Sequence, residues 1–151
     1  MPIFVNKVEI TDDEVHSEMQ HHPAKTMEDA RQKAAEALVI RELLLHEAID
    51  KKLLETREKD IIEVQGAAID RLLKQEVSVP EADEDVCLRY YQQNQERFKD
   101  QKVGKAVPFE SVKEHIRNYL YAQSFSTGIS QYITVLASRS RIIGFEFEQL
   151  S

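Results

Sequence analysis

Tryptophan is absent from this chain, and cysteine, glycine and proline are scarce: Cys87 stands alone, with four glycines and four prolines in 151 residues. A lone cysteine can form no internal disulfide, so nothing here marks an oxidising compartment. Few turn formers argue against a sheet-rich fold, which needs glycine and proline at its many reversals. No run of lysine and arginine is present, and the balance is acidic, with a formal charge of −7 and a pI near 5.3. A nucleic-acid binder needs a basic face and an anionic membrane surface repels an acidic one, so no nucleic acid and no membrane are expected as partners. No apolar run reaches spanning length. Met1 to Asn6 lacks a basic segment followed by an apolar core, so no signal peptide is visible. The chain reads as cytoplasmic, or periplasmic if a leader has been trimmed.

What remains is a charged but sufficiently apolar sequence, suited to long solvated helices and long enough for one domain with a modest core or for two small helical lobes. Ile3-Phe4-Val5 and Val8-Glu9-Ile10 are short β-prone pieces flanking Asn6-Lys7, a tight hairpin with lysine where a type I′ turn favours glycine. Thr11 with Glu14 is a capping box, opening a helix to about His21, before Pro23. Thr26 and Asp29 open a second helix, whose broad stripe of Ala34, Ala37, Leu38, Leu44, Leu45 and Ala48 predicts a central position, with its end near Leu54. A third runs from about Thr56 to Glu76, with Ile61, Ile62, Ala68, Ile69, Leu72 and Leu73 on one face. Gly66 either weakens it or marks close helix packing.

After Val77-Ser78-Val79-Pro80, the acidic residues Glu81, Asp83, Glu84 and Asp85 favour a new helix start. That fourth helix carries Val86, Leu88, Tyr90 and Tyr91 and ends near Phe98. Lys99 to Val107 has no periodicity and reads as a linker. Pro108 then opens a long helix, with Thr127-Gly128 a candidate kink, and the alternation from Ile142 to Phe147 predicts a last strand that pairs with the first hairpin.

Three separated blocks resemble one family, the parvulin-type peptidyl-prolyl isomerase chaperones. Val5-Asn6-Lys7-Val8-Glu9-Ile10-Thr11 is similar to the V-N-G-x-x-I-T start of SurA-like and PpiC-like members, departing at Lys7. His22-Pro23-Ala24 and Ala37 through Ala48 (ALVIRELLLHEA) look like the cytoplasmic, NifM-like branch. Val79-Pro80-Glu81 through Tyr90-Tyr91-Gln92-Gln93-Asn94-Gln95-Glu96-Arg97-Phe98 resembles the helix that leads into the parvulin domain. Val107 to Val112 and Gln131 to Gly144 look like the helix and strand that follow that domain.

The resemblance implies a mainly helical, SurA-like chaperone lobe in which residues 1–98 form an N-terminal helical region. Residues 99–107 then stand at the position of a missing parvulin domain, and 108–151 complete the lobe with a long helix and strand. It further implies binding of unfolded or immature polypeptides, with no isomerase chemistry in the chain as it stands and no cofactor. An alternative is a helical assembly domain, a homodimer that exchanges the C-terminal helix.

Aromatic side chains offer large contact areas with few rotors, so Tyr90, Tyr91, Tyr121 and Phe125 are the candidate client-binding residues. Tyr119 and Tyr132, on the main apolar stripe, read as packing residues. His16, His21 and His22 are poorly spaced for a shared ion and read as exposed or capping histidines. Glu42 and His46 share a face but lack the repeated Glu-x-x-His pairs of a di-metal bundle, so no metal site is predicted. Cys87, between Val86 and Leu88, reads as a structural thiol, and no catalytic residue is assigned.

Overall fold

In a computed structural model, residues 2–56 and 62–148 are described. They form strands β1 (Ile3–Val5), β2 (Val8–Ile10) and β3 (Ile142–Ile143), and helices α1 (Asp12–Glu18), α2 (Met27–Asp50), α3 (Ile62–Glu76), α4 (Glu84–Gln93) and α5 (Phe109–Ser138). The fold is mainly helical, with one small open antiparallel sheet. The chain divides into two compact units, one of residues 1–77 and 129–151, the other of 78–128.

The first unit is organised by the pairing of the two chain ends. Strand order is β2-β1-β3, with β1 antiparallel to both neighbours. The register sets Ile3 against Ile10 and Val5 against Val8, and Ile3, Val5 and Ile10 turn into the core. Phe4 stands between Glu9 and Ile143 on the opposite face. The Asn6 amide donates to the Arg141 carbonyl and the Arg141 amide to Asn6 Oδ1, each at 2.9 Å, which locks the β1 turn to the approach of β3. Asn6 and Lys7 both have positive φ, 48° and 76°, as a type I′ turn requires, so the turn forms despite the missing glycine. The last strand is shorter than the alternation suggests. Gly144 turns away at φ 84°, where a Cβ would meet the Pro2 carbonyl at 2.7 Å, and Phe145 and Phe147 pack on the core from irregular backbone.

Thr11 caps α1 through the reciprocal bonds of a capping box, Glu14 N to Thr11 Oγ1 at 3.1 Å and Thr11 N to Glu14 Oε1 at 3.2 Å. A 3₁₀ turn, Met19–His21, carries the chain on toward Pro23. Thr26 caps α2 by accepting from the Asp29 amide at 3.0 Å. As the broad stripe predicts, α2 is central: it packs against α1, α3 and the sheet, and it buries Ala34, Ala35, Val39, Leu43, Leu44, Leu45 and Ala48. It stops at Asp50, four residues before the expected end. The stop is a Schellman closure, with Leu53 N donating to Ala48 O at 2.8 Å and Lys52 N to Ile49 O at 3.0 Å while Lys52 takes φ 62°.

Thr56 is not helical, and residues 57–61, where the third helix was expected to begin, lie outside the described residues. Within α3, a Cβ on Gly66 would find nothing within 4 Å among the described residues, so this glycine weakens the helix and marks no close packing there. From Ile129 onward α5 belongs to the first unit, burying Ile133 and Leu136 in the same core. Tyr132 packs there as expected, its hydroxyl donating to Glu47 Oε2 at 3.2 Å, and Arg139 reaches the same oxygen. Burial first, then the Glu47 carboxylate, hold the Tyr132 phenol well above its ordinary range.

Candidate functional site

All four aromatic candidates fall in the second unit, residues 78–128. Its local order follows from its sequence step by step. Asp83 caps α4 by accepting from the Val86 amide at 2.9 Å, with Glu84 and Asp85 complementing the helix dipole in the first turn. Asn94 ends α4, its side-chain amide bonding back to the Tyr90 carbonyl at 2.8 Å. A 3₁₀ turn, Gln95–Phe98, then presents Arg97 and Phe98.

The supposed linker that follows is a closed hairpin. Lys99 pairs with Ala106, Val107 N donates to Phe98 O at 2.6 Å, and Asp100 N donates to Lys105 O at 2.8 Å. Its tip turns at Asp100, which accepts from the Lys102 and Gly104 amides, with Gly104 at φ 71°. Pro108 then precedes α5, and Lys113 of that helix reaches Glu84 of α4 at 2.9 Å. Cys87 and Ile116 are the two fully buried side chains of this unit. The Cys87 thiol, 3.9 Å from the Ala82 carbonyl, is fully enclosed, as a structural thiol should be.

The structure separates the four aromatic residues into three roles. Tyr91 packs its ring on Phe98 and Phe109, with centroids 5.3 Å and 5.5 Å away, and donates its hydroxyl to the Val107 carbonyl. It staples the base of the hairpin to α4. Tyr90 meets Phe98 at 6.1 Å and Tyr119 at 5.7 Å, while its hydroxyl accepts from Arg97 Nη1 at 3.0 Å. Tyr121 and Phe125, one turn apart on α5, stack at 6.0 Å with planes 15° apart. Tyr121 is 39% exposed and Phe125 half-buried. Between Ile116 and Ile133, no residue of α5 is buried, so Leu120, Tyr121 and Phe125 stand on a helical stretch with little cover. Thr127-Gly128 does not interrupt α5, and the Thr127 hydroxyl bonds back to the Gln123 carbonyl at 3.1 Å.

Tyr119 packs at the edge of this unit. It rests on the Tyr90 ring, yet 41% of it is exposed, because it forms the wall of a pocket and not the core. This pocket, of about 180 Å³, is lined by Tyr90, Arg97, Phe98, His115, Ile116 and Tyr119. The neighbouring Tyr90 phenol above all, then that of Tyr119, reinforces the protonated state of the Arg97 guanidinium. Of the six lining residues the sequence reading assigns Tyr90 to client binding and Tyr119 to packing, and gives no role to Arg97 or His115. The usable signal was the Arg97-Phe98 pair seven and eight residues after Tyr90, which the end of α4 and the 3₁₀ turn fold back onto it.

Elsewhere two histidines take local partners. His22 bonds Glu18 at 2.7 Å and His46 approaches Asp50 at 3.5 Å. Among the described residues no group of three His, Cys, Asp or Glu side chains could hold a metal ion, and no helix is long and apolar enough to cross a membrane. Comparison of the chain with protein-family models, curated proteins and solved structures finds no match in any of the three.

Proposed function

We propose that this chain is a polypeptide-binding chaperone module of the parvulin-type isomerase family, holding unfolded or immature segments and performing no isomerase chemistry itself. The observation that carries this reading is the stretch of α5 between Ile116 and Ile133, where Tyr121 and Phe125 form a stacked, accessible aromatic pair with no buried neighbour on the helix. Stacked rings of this kind contribute contact area without ordering many rotors, which suits promiscuous capture of apolar segments.

Two further observations favour the family assignment. The chain ends pair in one sheet, as the resemblance requires of a lobe completed by its own C-terminus. Phe98 and Val107, which would flank the isomerase domain, are joined by a hairpin whose paired Lys99 and Ala106 form a narrow doorway. A domain with neighbouring termini fits such a position. The resemblance to the NifM-like branch assigns the clients to the cytoplasm, and an excess of acidic side chains favours clients of opposite charge.

The test is suppression of aggregation of a chemically unfolded reporter protein at stoichiometric ratios. The double variant Tyr121→Ala/Phe125→Ala is expected to weaken suppression by about thirtyfold, since each aromatic contact contributes roughly 1 kcal/mol, with little change in melting temperature. A parent chain that neither suppresses aggregation nor binds unfolded reporter would end the reading. Concentration-dependent dimerisation abolished by the same substitutions would instead assign the surface to self-association.

A further inference from the structure

The pocket beside α4 and the start of α5 combines one unpaired cation with an aromatic wall. Arg97 presents a planar fork of five N–H donors; the Tyr90 hydroxyl engages one nitrogen at 3.0 Å and the Tyr119 phenol is a second neutral partner, so neither neutralises its charge. The acidic residues around it have other partners: Glu96 pairs with Lys99 at 2.8 Å, Asp100 accepts from the Lys102 amide at 2.9 Å, Glu84 pairs with Lys113 at 2.9 Å, and Glu114 with Arg117. Among the described residues no carboxylate pairs with Arg97. His115 brings an imidazole to the same cavity, and the rings of Phe98 and Tyr119 with Ile116 supply the apolar side. The unit around it carries eight acidic and seven basic side chains, so the acidic surplus of the chain lies mostly outside this unit.

Resting on the polypeptide-binding reading above, we propose that this pocket captures the C-terminal carboxylate of a client polypeptide whose last side chain is apolar. A guanidinium fork matches a planar carboxylate two bonds at a time. A dianionic phosphate would call for more than one permanent cation, and the lining offers only Arg97. The volume, about 180 Å³, is close to the space that accommodates a single benzene ring in an apolar protein cavity. A chain terminus is the peptide group that carries a carboxylate and a side chain on one carbon, so it fills both halves of the pocket. An Asp or Glu side chain fills only the charged half.

The experiment uses fluorescence anisotropy with the full chain and three otherwise identical apolar peptides. One ends in Phe with a free carboxylate, one ends in Phe-amide, and one ends in an amide with an internal Asp. The free-carboxylate peptide is expected to bind at least about tenfold more tightly than the other two, the scale set by a hydrogen bond to a charged group. Arg97→Gln should erase that difference by weakening the free-carboxylate peptide at least about tenfold more than the amidated one. Arg97→Lys should retain part of it. Free phenylpropanoate should compete with the free-carboxylate peptide and not with the amide.

Equal affinity of the free and amidated peptides for the unaltered chain overturns the proposal, and it does so without any variant that could misfold. If both then lose affinity with Tyr121→Ala/Phe125→Ala, the chaperone reading stands and only the terminus preference falls. If the Asp peptide matches the free-carboxylate peptide, the pocket reads carboxylates and not chain ends, and the proposal is likewise overturned. Failure of all three peptides, together with failure to suppress aggregation, removes the chaperone reading as well.

Discussion

Two lysines occupy backbone positions that favour glycine. Lys7 closes the β1–β2 turn at φ 76° and Lys52 closes the end of α2 at φ 62°. A left-handed conformation costs an L-residue roughly 1–2 kcal/mol, and glycine escapes that cost while losing about 0.5–1 kcal/mol more chain entropy on folding. Lys7→Gly and Lys52→Gly should each therefore raise stability by about 0.5–1 kcal/mol, read as a shift in urea midpoint with an unchanged slope. A lower midpoint for Lys52→Gly would mean that its side chain contributes more than its backbone costs.

Glu36 supplies a pH-dependent counterpart at the same scale. Burial first, then the Glu148 carboxylate, push its carboxyl above the ordinary value of 4.5. The folded state thus holds the proton more firmly than the unfolded chain does. The associated stabilisation is complete below the ordinary value and is lost as the pH rises through the folded one. Glu36→Gln should melt above the parent at neutral pH and level with it in acid. A gap that is the same at both pH values would assign the effect to packing and not to ionisation.

At the scale of elements, the sequence was most informative where a local rule has a side chain to express it. Thr11 with Glu14, Thr26 with Asp29 and the acidic run before Val86 all mark helix starts that form through those same side chains. The pairing of the last strand with the first was legible in the switch from helical to alternating apolar spacing at Ile142. Helix ends were harder to read. The stop of α2 rests on backbone closure at Lys52, and no glycine announces it. The hairpin at 99–106 was obscured in the same way: its bonds run between backbone groups of polar residues with no apolar period. The pocket escaped because its members come from α4, a 3₁₀ turn and α5, and only the fold brings Arg97, His115 and Tyr119 together. Gly66, by contrast, had two sequence readings that the structure separates. With open space around its missing Cβ, Gly66→Ala should add about 0.5–1 kcal/mol through helix propensity alone. A destabilised variant would show that α3 has a close neighbour at that position.

The whole molecule offers one position where a large addition should be silent. Lys99 and Ala106 are bridge partners, and the Phe98 and Val107 backbone groups close the ring behind them, so the hairpin tip at Lys102-Val103 extends from two adjacent strand ends. Lys102 and Val103 are both exposed. A folded domain whose own termini lie close together adds little closure entropy here, because the cost of a loop grows only by about 0.6 kcal/mol for each doubling of its length. Inserting such a domain between Lys102 and Val103 should therefore leave the melting of the parent chain within about 2–4 °C, the shift that 1 kcal/mol produces in a chain of this size. The same domain inserted after Gly128 should unfold it, because α5 runs unbroken through that residue from Phe109 to Ser138 and carries Ile133 and Leu136 into the core of the first unit. Calorimetry of the two insertions distinguishes a hairpin that serves as a doorway for another domain from one whose tip is needed to hold α4 and α5 in place. Collapse of the first insertion would count against the doorway, and with it against the family reading that places an isomerase domain there.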